Sequence, residues 1–282
     1  MRASRGVYAR PWRDALGGGE TAGTVRQMSA ATVPAPTRAA QNGPPPVDVH
    51  MADAIRVAGH APTALGLDVR TLALDGPRDV PDTSLGGEGA ILVLLLDPSP
   101  ERARAVGRAL VDEEAARAAR VRPGRGAKFT AVRGTLRTVL ARELDLAPRE
   151  VPIVYGEHGK PALDPELGCR VHFNVSHTGG LAAIAIARGR ELGVDVELHR
   201  PRKRLDLLAR AALTAAERAR FELLPEGERL AAFLDAWSAK EAYSKLLGRG
   251  LGLSFRGLEL RSFHSRVVRL PVGPLHSGAL AA

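Results

Sequence analysis

Seven consecutive apolar residues, Ala90 to Leu96 (AILVLLL), constrain the fold of this 282-residue chain most strongly. The run is far shorter than the roughly 20 residues a membrane helix needs, so no span is expected. Its length and branched side chains read as a buried strand. Beyond it, Ser99-Pro100-Glu101 supplies an N-cap, a proline at the first helical position and an early acid. A helical stretch is predicted from there through Arg120. Pro123 and Gly124 break it, and a second helix is predicted over 128–144.

Downstream the periodicity shortens. Val151–Tyr155, Val171–Val175, Leu181–Ala187 and Gly193–Leu198 are rich in Val and Ile and read as strands, with turns at Gly179-Gly180 and Gly189-Arg190. Thr214-x-x-Glu217 is a capping box opening a helix. A longer helix is predicted from Glu226 to Gly248, where glycine is a natural stop. The tail after Leu253 alternates weakly and is expected to supply an edge strand. Short strands with separate helices indicate an α+β fold, or α/β with antiparallel pieces.

The first 50 residues differ from the rest. They hold six arginines, three acidic residues, Gly17-Gly18-Gly19 and Pro44-Pro45-Pro46. Such a composition buries little apolar surface and is expected to be poorly ordered. Residues 51–88, punctuated by Gly and Pro, are expected to be weakly structured, and Met51 is an alternative start. No apolar h-region follows the N-terminus, so no secretory signal is expected. The single cysteine, Cys169, excludes an intramolecular disulfide and a cysteine-based metal site; it suits a reduced cytoplasm and a small, half-buried filler. A net charge of +9 suits polyanionic partners without choosing among nucleic acid, membrane surface, acidic protein and phosphorylated cofactor. Aromatic residues, at 4%, disfavour base-stacking platforms.

Five motifs carry chemistry. In Gly193-Val194-Asp195-Val196-Glu197, alternation puts both valines on one strand face and both carboxylates on the other. Side by side, the carboxylates repel unless a cation or water relieves them. A hard divalent ion with oxygen ligands would do so, and magnesium does when phosphates complete its shell; a solvent-facing acidic pair is the alternative. In Trp237-Ser-Ala-Lys-Glu-Ala-Tyr-Ser-Lys245, helical spacing aligns Trp237, Glu241 and Lys245 in one stripe. Glu241 could add a third carboxylate and Lys245 could neutralise a phosphate, or the two could form an ordinary helical ion pair. Phe173-Asn-Val-Ser176-His177 ends a strand in groups able to hold phosphate or ribose, or to cap the turn. Gly159-Lys160-Pro161 is not a phosphate loop, which needs Gly-Lys-Ser/Thr opening a helix, yet Lys160 remains a candidate phosphate contact. Finally, Arg120 to Arg142 contains seven basic residues and no acid. That run fits a solvated helix face, a nucleic-acid surface or a pocket for a phosphorylated cofactor.

Taken in order, these motifs resemble the Sfp-type 4'-phosphopantetheinyl transferases, a likeness running from about Ala90 to Leu253 and including Gly250-Leu251-Gly252. The resemblance implies two similar α/β lobes related by a pseudo-twofold, expected at 89–190 and 191–282 after an extension over 1–88. Between them would lie coenzyme A. It implies magnesium ligation by Asp195, Glu197 and Glu241. Glu241 is either ligand or base, and Lys245 touches the phosphates. It implies cofactor contacts from Lys160, Ser176 and His177, with Arg125 and Lys128 in the basic region near the 3'-phosphate. The expected reaction carries the phosphopantetheine arm of coenzyme A to a serine of an acidic acyl or peptidyl carrier, releasing 3',5'-ADP. The expected enzyme is a cytoplasmic monomer without nucleic-acid or membrane partners. Fatty-acid, polyketide, peptide-synthetase and siderophore carriers all fit. Two alternatives stand: a basic nucleic-acid-binding protein, and a family member that binds coenzyme A without transfer.

Overall fold

In the computed structural model, which describes residues 69–74, 84–157, 159–248 and 253–282, the apolar run becomes strand β2 (Ile91–Leu96), buried along its whole length. β2 pairs in parallel with β1 (Val69–Leu74) and antiparallel with β6 (Leu181–Arg188), which pairs with β5 (Val171–Thr178). The sheet order is β1-β2-β6-β5. β1 lies in a stretch where the sequence suggested no strand, while residues 1–68 and Gly250-Leu251-Gly252 lie outside the described residues.

Two helices, α1 (Pro100–Val106) and α2 (Asp112–Ala119), replace the single stretch expected through Arg120. The break has a packing cause. After a 3-10 turn at Gly107–Ala109 the chain extends to bury Leu110, and α2 then brings Glu114 beneath the next helix. Ser99 caps α1 as expected, its hydroxyl accepting from the Arg102 amide at 3.3 Å. Helix α3 runs from Pro123 to Leu144, five residues earlier than predicted, because Pro123 starts the helix rather than stopping it. A short hairpin, β3 (Ile153–Tyr155) with β4 (Pro161–Leu163), precedes β5. Cys169 packs half-buried against the core between α3 and the first sheet.

The second sheet has the order β7-β9-β8, from β7 (Gly193–Leu198), β8 (Val267–Arg269) and β9 (His276–Ala281). The tail therefore supplies two strands, one of them central rather than at the edge. β9 takes the middle because Ala279, Leu280 and Ala281 are all buried there. Between β7 and β8 the chain forms α4 (Leu205–Ala212), α5 (Ala215–Leu223) and α6 (Glu226–Leu246). The capping box on α5 is present: Thr214 Oγ1 accepts from the Glu217 amide at 3.3 Å, and Glu217 Oε2 accepts from the Thr214 amide at 2.9 Å. Gly248 follows α6 with a left-handed φ of 67°.

The architecture is mixed α+β. Even-numbered residues of β2 pack with Val132, Leu136, Val139 and Leu140 of α3, whereas Ile91, Val93 and Leu95 pack with Val194, Val196 and Leu280 of the second sheet. Ala183, Ala185 and Ala187 on β6 keep that joint thin. A third core lies between α4, α5, α6 and the outer face of the second sheet. Each fully buried Leu, Ile or Val contributes about 1.5–3 kcal/mol, so β2 and β7 are firmly fixed. No helix of the described residues is long and apolar enough to cross a membrane.

Candidate active site

With Val194 and Val196 in the inter-sheet core, Asp195 and Glu197 turn to the opposite face, toward α6. The helix can approach because residue 193 is glycine. A Cβ there would lie 2.0 Å from the Ala242 carbonyl oxygen and 2.5 Å from the Leu246 nitrogen. This approach brings Lys245 against β7: its Nζ donates to Asp195 Oδ1 at 2.7 Å and to the Val194 carbonyl at 2.9 Å. Ser176 Oγ donates to the same Asp195 oxygen at 2.9 Å. The other, Oδ2, is buried and has no hydrogen-bond partner among the described residues.

Burial and the Asp195 charge act on both remaining carboxylates. Burial, then the Asp195 charge, pushes the Glu241 carboxyl up to about 7, despite Lys245 nearby. Glu197 is also raised, first by burial and then by Asp195. Arg202 Nη2 opposes this by donating to Glu197 Oε2 at 3.2 Å. The Arg202 side chain is itself only 6% exposed, and its Nε and Nη1 have no partner among the described residues. The sequence reading missed Arg202, whose signal is diluted among the basic residues 200–204.

The chemistry of Asp195 suits a hard divalent cation: a buried carboxylate oxygen without a partner among the described residues, with the acidic Glu197 and Glu241 near it. Among the described residues, no three acidic, His or Cys side chains come together as a ready-made site for a metal ion. Magnesium does not require one, since it commonly takes one or two carboxylates and completes its shell with water and substrate phosphates.

The other predicted residues lie elsewhere. Alternation along β5 separates Ser176 from His177: Ser176 is buried toward β7, and His177 is exposed on the face that carries Phe173 and Val175. Lys160 Nζ donates to Glu191 Oε2 at 3.0 Å and to the Leu192 carbonyl at 3.5 Å, tying the β3–β4 turn to the segment before β7. Arg125 and Lys128 are exposed on the first turns of α3. Trp237, at the head of the stripe, is partly buried and packs with Phe233 and Phe255 against the core. Within the same motif Lys240 is fully buried, donating to Glu217 Oε2 at 2.5 Å and to the Ala212 and Phe255 carbonyls.

The basic run along α3 is not one continuous surface. Arg137 pairs with both oxygens of Glu114, at 2.6 and 3.2 Å, and donates to the Pro148 and Val151 carbonyls. Arg133 is buried beside the same Glu114 and donates to the Tyr155 hydroxyl at 2.8 Å. Two of the seven basic residues therefore serve the interior, which weakens the nucleic-acid reading.

An acidic strand, with Asp195 and Glu197 on β7, thus faces Glu241 and Lys245 on α6 across a gap narrow enough to require glycine at 193. Residues 191–277 match the model of the 4'-phosphopantetheinyl transferase superfamily. The chain is 33% identical over 171 residues to the 4'-phosphopantetheinyl transferase HetI of Nostoc sp., covering 60% of this chain and 72% of that protein. It is 35% identical over 143 residues to a putative 4'-phosphopantetheinyl transferase of Synechocystis sp., covering 50% of this chain and 58% of the relative. The transferase Sfp of Bacillus subtilis matches at 27% over 143 residues, 50% of this chain and 61% of its own. The chain belongs to the 4'-phosphopantetheinyl transferase superfamily. Its match spans less than two thirds of the Synechocystis and Bacillus relatives.

Proposed function

We propose that this chain transfers the 4'-phosphopantetheine arm of coenzyme A to a serine of an apo acyl or peptidyl carrier protein, with magnesium as cofactor. The observation that carries the reading is the meeting of Asp195 and Glu197 on β7 with Glu241 and Lys245 on α6, anchored by the 2.7 Å Lys245–Asp195 contact.

Asp195 and Glu197 would hold magnesium, with Glu241 as third ligand or as base, and the bound ion would neutralise charge on the pyrophosphate. Lys245, already at the carboxylate edge, supplies a cationic donor for the phosphate oxygens. Glu241, with its carboxyl held near 7, is suited to take the serine proton at neutral pH. In the step, the serine Oγ bonds to the β-phosphorus of coenzyme A. The bond from that phosphorus to the bridging oxygen breaks, 3',5'-ADP leaves with the electron pair, and the proton passes to the Glu241 carboxylate. Positioning and charge neutralisation carry most of such a phosphoryl transfer.

The arrangement of α3 on one sheet and α6 on the other supports a reading as two lobes, 89–190 and 191–282, with β1 at 69–74 joining the first from the expected extension. Lys160, His177, Arg125 and Lys128 are the proposed cofactor contacts around the cleft, and the surplus positive charge would serve an acidic carrier in the cytoplasm. The test is direct: mix full-length protein, coenzyme A, magnesium and several apo-carriers, and follow carrier mass. A gain of one phosphopantetheine that disappears in Asp195→Ala is the expected result. Full turnover by Asp195→Ala would refute the assignment of the ion, and coenzyme A binding without mass gain on any carrier would favour a binding protein that does not transfer.

A further inference from the structure

β9 covers one side of β7, so the amides of Val194, Val196 and Leu198 point outward from the second sheet toward β5, the edge strand of the first. The two edges lie side by side but belong to different sheets. What joins them is a row of side chains. Asn174 Oδ1 accepts from the Val194 amide at 2.9 Å, Ser176 Oγ from the Val196 amide at 3.3 Å, and Thr178 Oγ1 from the Leu198 amide at 3.2 Å. Residues two apart on a strand share a face, so the pattern Asn-x-Ser-x-Thr presents three acceptors at the spacing of three outward amides. Apolar residues there would leave buried N–H groups unpaired.

The middle member does more. Ser176 has one hydroxyl proton, and it goes to Asp195 Oδ1 at 2.9 Å while the oxygen accepts from Val196. With Lys245 donating to the same Oδ1, that oxygen is committed, and Oδ2 is left buried with no partner among the described residues.

We propose that Asn174, Ser176 and Thr178 are positioning residues for the acidic strand. Their side chains fix the height of β7 in place of a backbone ladder, and Ser176 turns the Asp195 carboxylate so that Oδ2 is the oxygen offered to the cation. The inference rests on the cation-dependent transfer proposed above. It gives Ser176 a task different from the cofactor contact that the family resemblance implies.

The test uses the full chain without coenzyme A, with Mn2+ as probe, its free concentration read by electron paramagnetic resonance. Hydrogen exchange of the 193–198 backbone is followed by mass spectrometry on the metal-free protein. Ser176→Ala should weaken Mn2+ binding tenfold to a hundredfold, the usual loss when a group orienting a ligand is removed. Thr178→Val should speed exchange at the β7 amides, and Thr178→Ser, which keeps the hydroxyl, should restore it. Wild-type Mn2+ affinity in Ser176→Ala, with only coenzyme A binding weakened, would overturn the proposal. So would unchanged β7 exchange in a folded Thr178→Val. If Asp195→Asn leaves Mn2+ binding unaffected, the cation site itself is misassigned and the proposal falls with it.

Discussion

Gly193→Ala probes the approach of α6 to β7 with a single methyl group. Its Cβ would meet the Ala242 carbonyl oxygen at 2.0 Å, the Leu246 nitrogen at 2.5 Å and the Lys245 Cβ at 2.9 Å. Two of these are backbone atoms of a helix packed by Ala236, Ala239 and Ala242, so no side-chain rotation relieves them. Restoring a 3.4 Å contact requires the helix to retreat by about 1.4 Å, the difference from 2.0 Å. A shift of that size breaks the 2.7 Å Lys245–Asp195 contact and draws Glu241 away from β7. Overpacking of this kind destabilises by about 1–3 kcal/mol. Misplacement by about 1 Å lowers a positioned reaction by about 100-fold. The assay is carrier mass gain against time, paired with thermal melting. Gly227→Ala, on the same helix with nothing within 4 Å of the added methyl, is the control and should match or exceed wild-type stability. A Gly193→Ala protein with wild-type rate and melting temperature would show that the close approach does not position the site.

Three further outcomes are expected. Because Glu241 in the metal-free fold has its carboxyl raised from 4.5 to about 7, folding loses stability as pH climbs through that window. Glu241→Gln should flatten the dependence and gain about 1–3 kcal/mol at pH 8, read by urea unfolding in chelator. The same variant should lose far more in transfer rate than in coenzyme A affinity, measured by single-turnover kinetics and calorimetry; equal losses would argue against a base role. Lys240→Met strands Glu217 in the core and should destabilise by about 3–5 kcal/mol. Adding Glu217→Gln, which removes the stranded charge but keeps an acceptor for the Thr214 and Leu260 amides, should return much of that, which a double-variant melt would reveal.

Much of this was legible in the residues. Local rules placed β2, β7, the α5 capping box and the end of α6, because each depends on neighbours in sequence. Alternation in Gly-Val-Asp-Val-Glu correctly divided valines from carboxylates, and the helical spacing of Glu241 and Lys245 put both on the side that meets β7. What escaped depended on distant partners. The break after Val106 follows from Glu114 reaching Arg137, 23 residues on. The burial of Lys240 depends on Glu217 and Phe255, and a lysine in a helical motif carries no local sign of it. Ser176 and His177 read as a pair because they are adjacent, yet strand alternation separates them. That same alternation, applied to Asn174, Ser176 and Thr178, was the available signal for the side-chain row.

The central position of β9 has a consequence for how the chain is made. β7 emerges from the ribosome roughly 80 residues before the strand that covers its inner edge. Until β9 arrives, the nascent protein carries a Val-rich strand with an open edge, the kind of segment that pairs with other chains. Asp195 and Glu197 sit in the middle of it, and unneutralised carboxylates at those positions discourage stacking of like strands. The charges proposed to gather a metal ion in the finished protein would thus first act as gatekeepers, protecting the half-made chain from its neighbours.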